Sequence, residues 1–396
     1  MRFCIVAMAA PWGGAQVHTT ALVRTLAARG HDVSIYQVGH QSYEKMRFDG
    51  DGSNQVLRAN VSKPVRSLTF FDWLRLFGSL NEAVCIFPKG TFETGSWRID
   101  LAARLSFQRY ITIEHNLCPP MPAKSSRRHL RGLFPGVGAW WYRLLLQRRL
   151  RAIGPHRVVC VSHAVERQLT RCYGFPSRKL MTIRNGIDTA TFQHSPTARQ
   201  AVRNAWGIPD DALVFGAIGR LDPQKAYDVA LDAFRQVVSR MPERDMRFVL
   251  VGEGPLRDEL YRTARDHGLL DRFMLSEFTD RPWEAYSAFD IFLMPSRFEG
   301  LPLALLEAMA CGCSPIAMSV GGISEVITDA GLGWLVAPGD ESAFLTAMCS
   351  AAQASVDARL EMRRNVRQHV HSHFNAEIQY RSLAEWLERE CKGLTG

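Results

Sequence analysis

The sequence predicts an α/β protein of two doubly wound, Rossmann-like parallel-sheet domains, and three observations predict it. The 396 residues are too many for one ordinary core and suit two domains of about 200 residues each. Short apolar runs alternate with helical stretches through both halves, as buried parallel strands covered on both faces do. Between the halves the alternation breaks at 186–212, where Gly, Thr, Ser and Pro punctuate the chain like a linker.

In the first half RFCIVAM at 2–8 reads as a strand, followed by a helix across 16–29 that Gly30 ends and by a strand at 32–38. Further strands are expected at 83–88, 110–115, 157–162 and 180–185. The polar segment 39–66 reads as loop. Its carboxylates Asp49 and Asp51 lie in a turn with no apolar strand leading in, which argues against a metal pair. The second half predicts strands at 213–219, 247–252, 273–275, 291–295, 314–318 and 333–337. Helices are expected near 226–240, 255–267, 282–288, 302–311, 322–328 and 340–353. The last stretch places Ile378, Leu383, Trp386 and Leu387 on one helical face. The expected domains are therefore 1–190, 191–375 and a terminal helix, 376–396, packing back on the first. Two such domains facing each other leave a cleft, and ligands of open α/β sheets bind beyond the carboxyl ends of the strands.

The net charge of +9 is concentrated. From His115 to Val165 there is no Asp or Glu, while nine Lys and Arg residues fall there, leaving the rest of the chain balanced at 39 against 39. Lys124, Arg127, Arg128, Arg131, Arg143, Arg148 and Arg149 are interleaved with Trp140, Trp141 and a leucine run. That composition suits a helix lying in an anionic membrane interface, or a basic helix packed on its own domain. No nucleic-acid fingerprint accompanies it. No apolar run reaches the ~18 residues of a membrane span. The start reads as a strand and a Gly-Gly turn, not a signal peptide. Nine cysteines without paired spacing fit a reducing compartment. Together these predict a cytoplasmic protein, peripherally associated with the inner membrane.

Glu299 and Glu307 flank the start of the helix that Pro302 opens. At ~1.5 Å per residue they stand roughly 12 Å apart. A glycosidase-type carboxylate pair needs about 5 Å, so they are read as gripping hydroxyls at two ends of one ligand: a hexose at Glu299 and a ribose at Glu307. The first-turn N–H groups around Gly300, Leu301 and Leu303 lack intrahelical partners and favour a diphosphate between them. Gly219 closes the first strand of the second domain, and Arg220 and Lys225 follow as cations that can neutralise a diphosphate leaving group without a metal. Gly13 and Gly14 let backbone approach a phosphate or sugar, whereas the absence of G-x-G-x-x-G argues against a dinucleotide cofactor. His115 ends a first-domain strand, Asn185 and Gly186 end another, and Gly321, Gly322 and Glu325 form a glycine turn.

In this order the elements GG, ITIEHN, VVCVSHAV, RNGID, AIGRLDPQK, VGEGPL, PSRFEGLPLALLEAMACGCSP and VGGISE resemble a large bacterial family of enzymes, the retaining glycosyltransferases of family four, over the whole chain. The resemblance implies the GT-B architecture and transfer of a hexose from a UDP- or GDP-sugar with retention, without cofactor or metal. It implies that Glu299 binds the donor hexose, Glu307 the ribose, Arg220 and Lys225 the diphosphate, and that His115 acts near the transferred sugar. Ala226 departs from the pattern, since the family usually has glycine after the lysine. The expected acceptor is a growing, lipid-linked glycan of exopolysaccharide or lipopolysaccharide synthesis. The alternatives are a soluble acceptor and a non-catalytic sugar-nucleotide sensor.

Overall fold

The computed structural model describes residues 1–8, 14–38, 58–61, 69–80, 84–89, 97–107, 109–117, 152 and 154–392. Gly13, the turn at 49–52 and the basic aromatic residues Lys124, Arg127, Arg128, Arg131, Trp140, Trp141, Arg143, Arg148 and Arg149 lie outside the described residues. The chain divides into two compact units, Met1–Arg184 with Tyr380–Gly396, and Asn185–Gln379.

In the first unit the strands are β1 (Arg2–Met8), β2 (Asp32–Val38), β3 (Arg58–Val61), β4 (Val84–Lys89), β5 (Arg109–Glu114), β6 (Arg157–Cys160) and β7 (Leu180–Thr182). They form one parallel sheet in the order β3-β2-β1-β4-β5-β6-β7. β4 and β5 are buried along their whole length, which is why they read as continuous apolar runs. Helices α1 (Gly14–Ala28), α2 (Phe70–Leu80), α3 (Trp97–Ser106) and α4 (His163–Tyr173) cover the sheet. Trp73, Phe77, Phe87, Phe107 and Tyr110 fill the core between them. Ser162 caps α4 by accepting from the Val165 amide, and Gly174 ends it in the left-handed region. β3 corrects the loop expected over 39–66: a four-residue edge strand needs only backbone pairing with β2, which leaves little apolar signal.

The second unit carries β8 (Leu213–Ile218), β9 (Met246–Val251), β10 (Phe273–Ser276), β11 (Ile291–Met294), β12 (Ser314–Met318) and β13 (Trp334–Val336). This parallel sheet runs β10-β9-β8-β11-β12-β13. Its helices are α5 (Pro196–Ala205), α6 (Tyr227–Arg240), α7 (Arg257–Asp266), α8 (Pro282–Ala288), α9 (Leu303–Ala310), α10 (Glu341–Gln353) and α11 (Val356–His373). The final helix, α12 (Ala376–Lys392), passes from this unit into the first.

Three readings need correction here. The stretch 186–212 contains α5, capped by Ser195 with Pro196 in its first turn, so the Ser-Pro pair begins a helix. That helix is anchored by polar contacts: the buried Arg203 guanidinium donates to the carbonyls of Pro209, Asp210 and Ala212 and pairs with Asp290 at 2.8 Å. The helix expected at 322–328 is a single 3-10 turn, Gly321–Glu325, because Gly321 sits at φ +58°. Ile378 is 54% exposed although Leu383, Trp386 and Leu387 are buried, since it precedes the part of α12 that belongs to the first unit. No helix among the described residues is long and apolar enough to cross a membrane.

Candidate functional site

Strand order in the second unit reverses between β8 and β11. Helices that follow the two strands leave on opposite faces there, opening the crevice in which doubly wound sheets bind ligands. Two loops line it: Gly219 to Ala226 after β8, and Pro295 to Pro302 after β11. The Arg297 amide donates to the Gln224 carbonyl at 2.8 Å, and the Gln224 side chain donates to the Phe298 carbonyl at 2.9 Å. Lys225 Nζ lies 2.6 Å from Glu299 Oε1, and the Glu299 side chain is only 6% exposed. Arg220 pairs with Asp222 at 2.7 Å and is half exposed. Both cations expected at a diphosphate thus already hold a carboxylate.

Backbone fit explains the glycines. A Cβ on Gly321 would stand 1.9 Å from the Glu299 carbonyl oxygen, so only glycine lets this turn lie on the 299–300 backbone. The Gly322 amide then donates to the Gly300 carbonyl at 2.6 Å. At Gly219 a Cβ would meet the Tyr227 hydroxyl at 2.6 Å. Burial, then Glu299 and Asp222, push the Tyr227 hydroxyl far above its ordinary value, so it stays protonated beside Glu299. Ala226 holds φ +51° and ψ +41°, the left-handed conformation in which glycine is at ease, and is the one non-glycine at positive φ among the described residues.

α9 starts after Leu301 and Pro302, and no side chain caps it. Its first-turn N–H groups and the positive end of its dipole therefore remain open to an anion. Asn185 steadies that start: its amide donates to the Leu301 carbonyl at 2.7 Å, while its buried Oδ1 has no partner. Further along the helix the Tyr286 hydroxyl donates to Glu307 Oε2 at 2.8 Å. Burial pushes the Glu307 carboxyl up to about 7, against the pull of that hydrogen bond. Leu303, Leu305, Leu306, Met309 and Ala310 are buried, so this helix is apolar on more than one stripe.

In the first unit Gly14 opens α1 and is exposed. His115 follows β5, its amide donating to the Lys89 carbonyl at 3.0 Å. Its ring packs edge-on against His18 at 4.5 Å, and His18 in turn against Tyr380 at 5.0 Å. His115 Nε2 and His18 Nδ1 are buried without partners. Burial lowers His115 to about 4, so the ring is uncharged at neutral pH. Lys89, Asp100 and Tyr110 form a buried network nearby in sequence: Lys89 Nζ stands 2.7 Å and Tyr110 Oη 2.5 Å from Asp100 Oδ1.

The structure brings Gly219, Lys225, Glu299, Gly300 and Leu301 to one switch point, with Arg220 on the same loop and Glu307 further along α9. Sequence reasoning missed Asp222, Gln224, Tyr227 and Tyr286, whose contacts join separate elements. It also missed His18 and Tyr380, although a histidine on the helix after the Gly-Gly loop was a readable signal. Among the described residues no three His, Cys, Asp or Glu side chains are grouped to hold a metal ion.

Residues 198–369 match the family model of glycosyl transferases group 1, and residues 12–191 that of glycosyltransferase family 4. A D-inositol 3-phosphate glycosyltransferase of Catenulispora acidiphila is 35% identical over 47% of this chain and 45% of its own length. A GDP-mannose-dependent alpha-(1-6)-phosphatidylinositol monomannoside mannosyltransferase of Mycolicibacterium smegmatis is 30% identical over 59% of this chain and 63% of its own. The chain spans about half the length of the curated relatives it matches. The structure of Anabaena HepE in complex with UDP and glucose shares the fold, with a TM-score of 0.77 over 98% of this chain and 100% of that one at 16% identity. The two family models follow one another along almost the whole chain, one on each Rossmann-like unit, and the chain belongs to the group 1, family 4 glycosyltransferases of the GT-B fold.

Proposed function

We infer that this protein transfers a hexose from a UDP- or GDP-sugar to a glycan acceptor, with retention and without a metal. The observation that carries it is the Lys225–Glu299 pair at the switch point beside the uncapped start of α9. A nucleoside diphosphate leaving group needs cations and oriented N–H donors. On donor binding the phosphates take Lys225 and Arg220, the first turn of α9 meets the diphosphate, and Glu299 is released to the hexose hydroxyls. Glu307 meets the ribose. His115 offers an uncharged imidazole to a hydroxyl of a substrate.

In the transfer step the bond from the anomeric carbon to the phosphate oxygen breaks and the bond to the acceptor oxygen forms. The acceptor proton leaves on the diphosphate. Attack from the face of departure accounts for retention, because Glu299, once Lys225 has turned to the phosphates, is engaged by the hexose hydroxyls rather than poised as a nucleophile. Relatives support the donor and the acceptor class: one neighbour is seen with UDP and glucose, and one relative is named for GDP-mannose and a phosphatidylinositol mannoside. We assign a lipid-linked glycan as acceptor at the inner face of the membrane, with the basic segment from Lys124 to Arg149 as the contact to anionic lipid.

The test is donor turnover with UDP- and GDP-hexoses on lipid-extracted and soluble glycans, in the protein and in Arg220→Ala. The reading expects diphosphate release with the acceptor present and its loss in the variant. Full turnover by a folded Arg220→Ala protein would overturn it. Flotation with anionic vesicles at low salt tests the membrane part, and no binding would remove it.

A further inference from the structure

Glu307 is unequally engaged. Its Oε2 accepts the Tyr286 hydroxyl at 2.8 Å, and its Oε1 has no hydrogen bond among the described residues. Tyr286 is fully buried on α8, and its backbone carbonyl accepts from the Cys313 thiol, so the residue is held at its backbone as well as at its hydroxyl. One carboxylate oxygen is thereby committed to the protein and the other left for a ligand. We propose that Tyr286 is the positioning residue of Glu307, and that through this carboxylate nucleotide binding is coupled to the release of a proton. The proposal rests on the reading that Glu307 meets the ribose.

With Oε2 already accepting, a proton on the carboxyl sits on Oε1, which then donates and accepts only weakly. A ribose offering its hydroxyl protons needs Oε1 as an acceptor. Binding therefore expels the proton to solvent. Burial holds Glu307 at about 7 in the ligand-free protein, so a sizeable fraction of molecules carries that proton at neutral pH. The elements packed against α9 carry other ionisable groups, among them His369, His371 and His373 of α11. Tyr286 and the thiols of Cys311 and Cys313 are raised well above neutrality by burial. Glu284, also on α8, is paired with Arg281. Arg363 and Arg367 of α11 lie beside Gly312 at the carboxyl end of α9. β11 and β12 contribute no ionisable side chain.

Titration calorimetry with UDP and with GDP, at pH 6 to 8.5 in buffers of different ionisation heat, tests this. The expected result is proton release at pH 6 that vanishes by pH 8.5, and an affinity that falls toward about tenfold per pH unit below the midpoint. Tyr286→Phe keeps the ring and removes the hydroxyl. It should move the midpoint to higher pH and weaken binding more at pH 6.5 than at pH 8.5, whereas a merely structural role would weaken both alike. An unchanged midpoint in a folded Tyr286→Phe, or equal heats in all buffers for the unaltered protein at pH 6, overturns the proposal; the second measurement decides alone if the variant does not fold. Glu307→Gln separates the two levels. If it binds UDP and GDP as tightly as the unaltered protein, the ribose reading has failed; if it binds weakly while Tyr286→Phe keeps the original profile, only the present inference has.

Discussion

Lys225 and Glu299 meet at 2.6 Å across 74 residues of chain, and the pair joins the loop after β8 to the loop after β11. Each residue is therefore both a candidate ligand contact and the partner that makes the other tolerable in a mostly buried place.

Lys225→Ala leaves the Glu299 carboxylate buried without its partner. The expected cost is about 1–3 kcal/mol in the urea unfolding of the second unit. Adding Glu299→Gln should recover most of it, while donor turnover stays lost in both. Additive losses in the double variant would show that the pair is not coupled.

Ala226 tests the backbone alone. Left-handed φ costs an L-residue roughly 1–2 kcal/mol, and glycine costs up to about 1 kcal/mol through the unfolded chain. Ala226→Gly is expected to stabilise the protein by up to about 1 kcal/mol. Ala226→Val should destabilise it, because a β-branched side chain is poorly accommodated there. Denaturant midpoints for the two variants check the sign.

Glu307 makes stability fall with rising pH. Its carboxyl is raised to about 7 in the folded chain from an ordinary value of 4.5, so the unfolded chain ionises first and gains on the folded one between those limits. Glu307→Gln removes that loss and should be more stable than the unaltered protein above pH 7, by roughly 1–3 kcal/mol, with the difference closing toward pH 5. A constant difference across pH 5 to 8 would contradict the burial of this group.

His115, lowered to about 4, should give no limb near pH 6.5 in the rate of transfer at saturating donor. His115→Phe should lower the rate at every pH from 5 to 8. A limb at 6.5 that disappears in this variant would show that the ring titrates normally.

Glu388 of α12 accepts from Arg29 at 2.7 and 2.9 Å and lies 2.7 Å from His31. Those bonds hold its carboxyl down at about 2, so their contribution is complete above the usual carboxylate range and is lost as pH falls toward 2. Glu388→Gln should loosen α12 at pH 7, read as faster amide exchange over 383–391, by no more than about 1 kcal/mol.

The alternation of buried strands and helices was legible because β4, β5 and β8 are buried on every residue and leave unbroken apolar runs. α5 was not, because its anchor is Arg203 reaching carbonyls rather than an apolar stripe. The site divides in the same way. Glu299, Lys225 and Glu307 could be named as residues from local spacing. That Lys225 holds Glu299, and that Tyr286 holds Glu307, depends on which loops a switch point brings together, and no local pattern encodes that. Ala226 was visible as a departure in sequence, and its meaning emerged only as a backbone angle.

The chain returns to its first unit at Tyr380 after completing the whole of the second. On the ribosome, therefore, the first-unit sheet is made early and must wait: at 5–20 residues per second the intervening stretch takes on the order of 10–40 s. During that interval Arg109 lacks the Cys391 carbonyl it donates to, and His18 lacks Tyr380. The second unit, continuous in sequence, is free to finish first, and the last helix then seals the part of the protein that was begun before it.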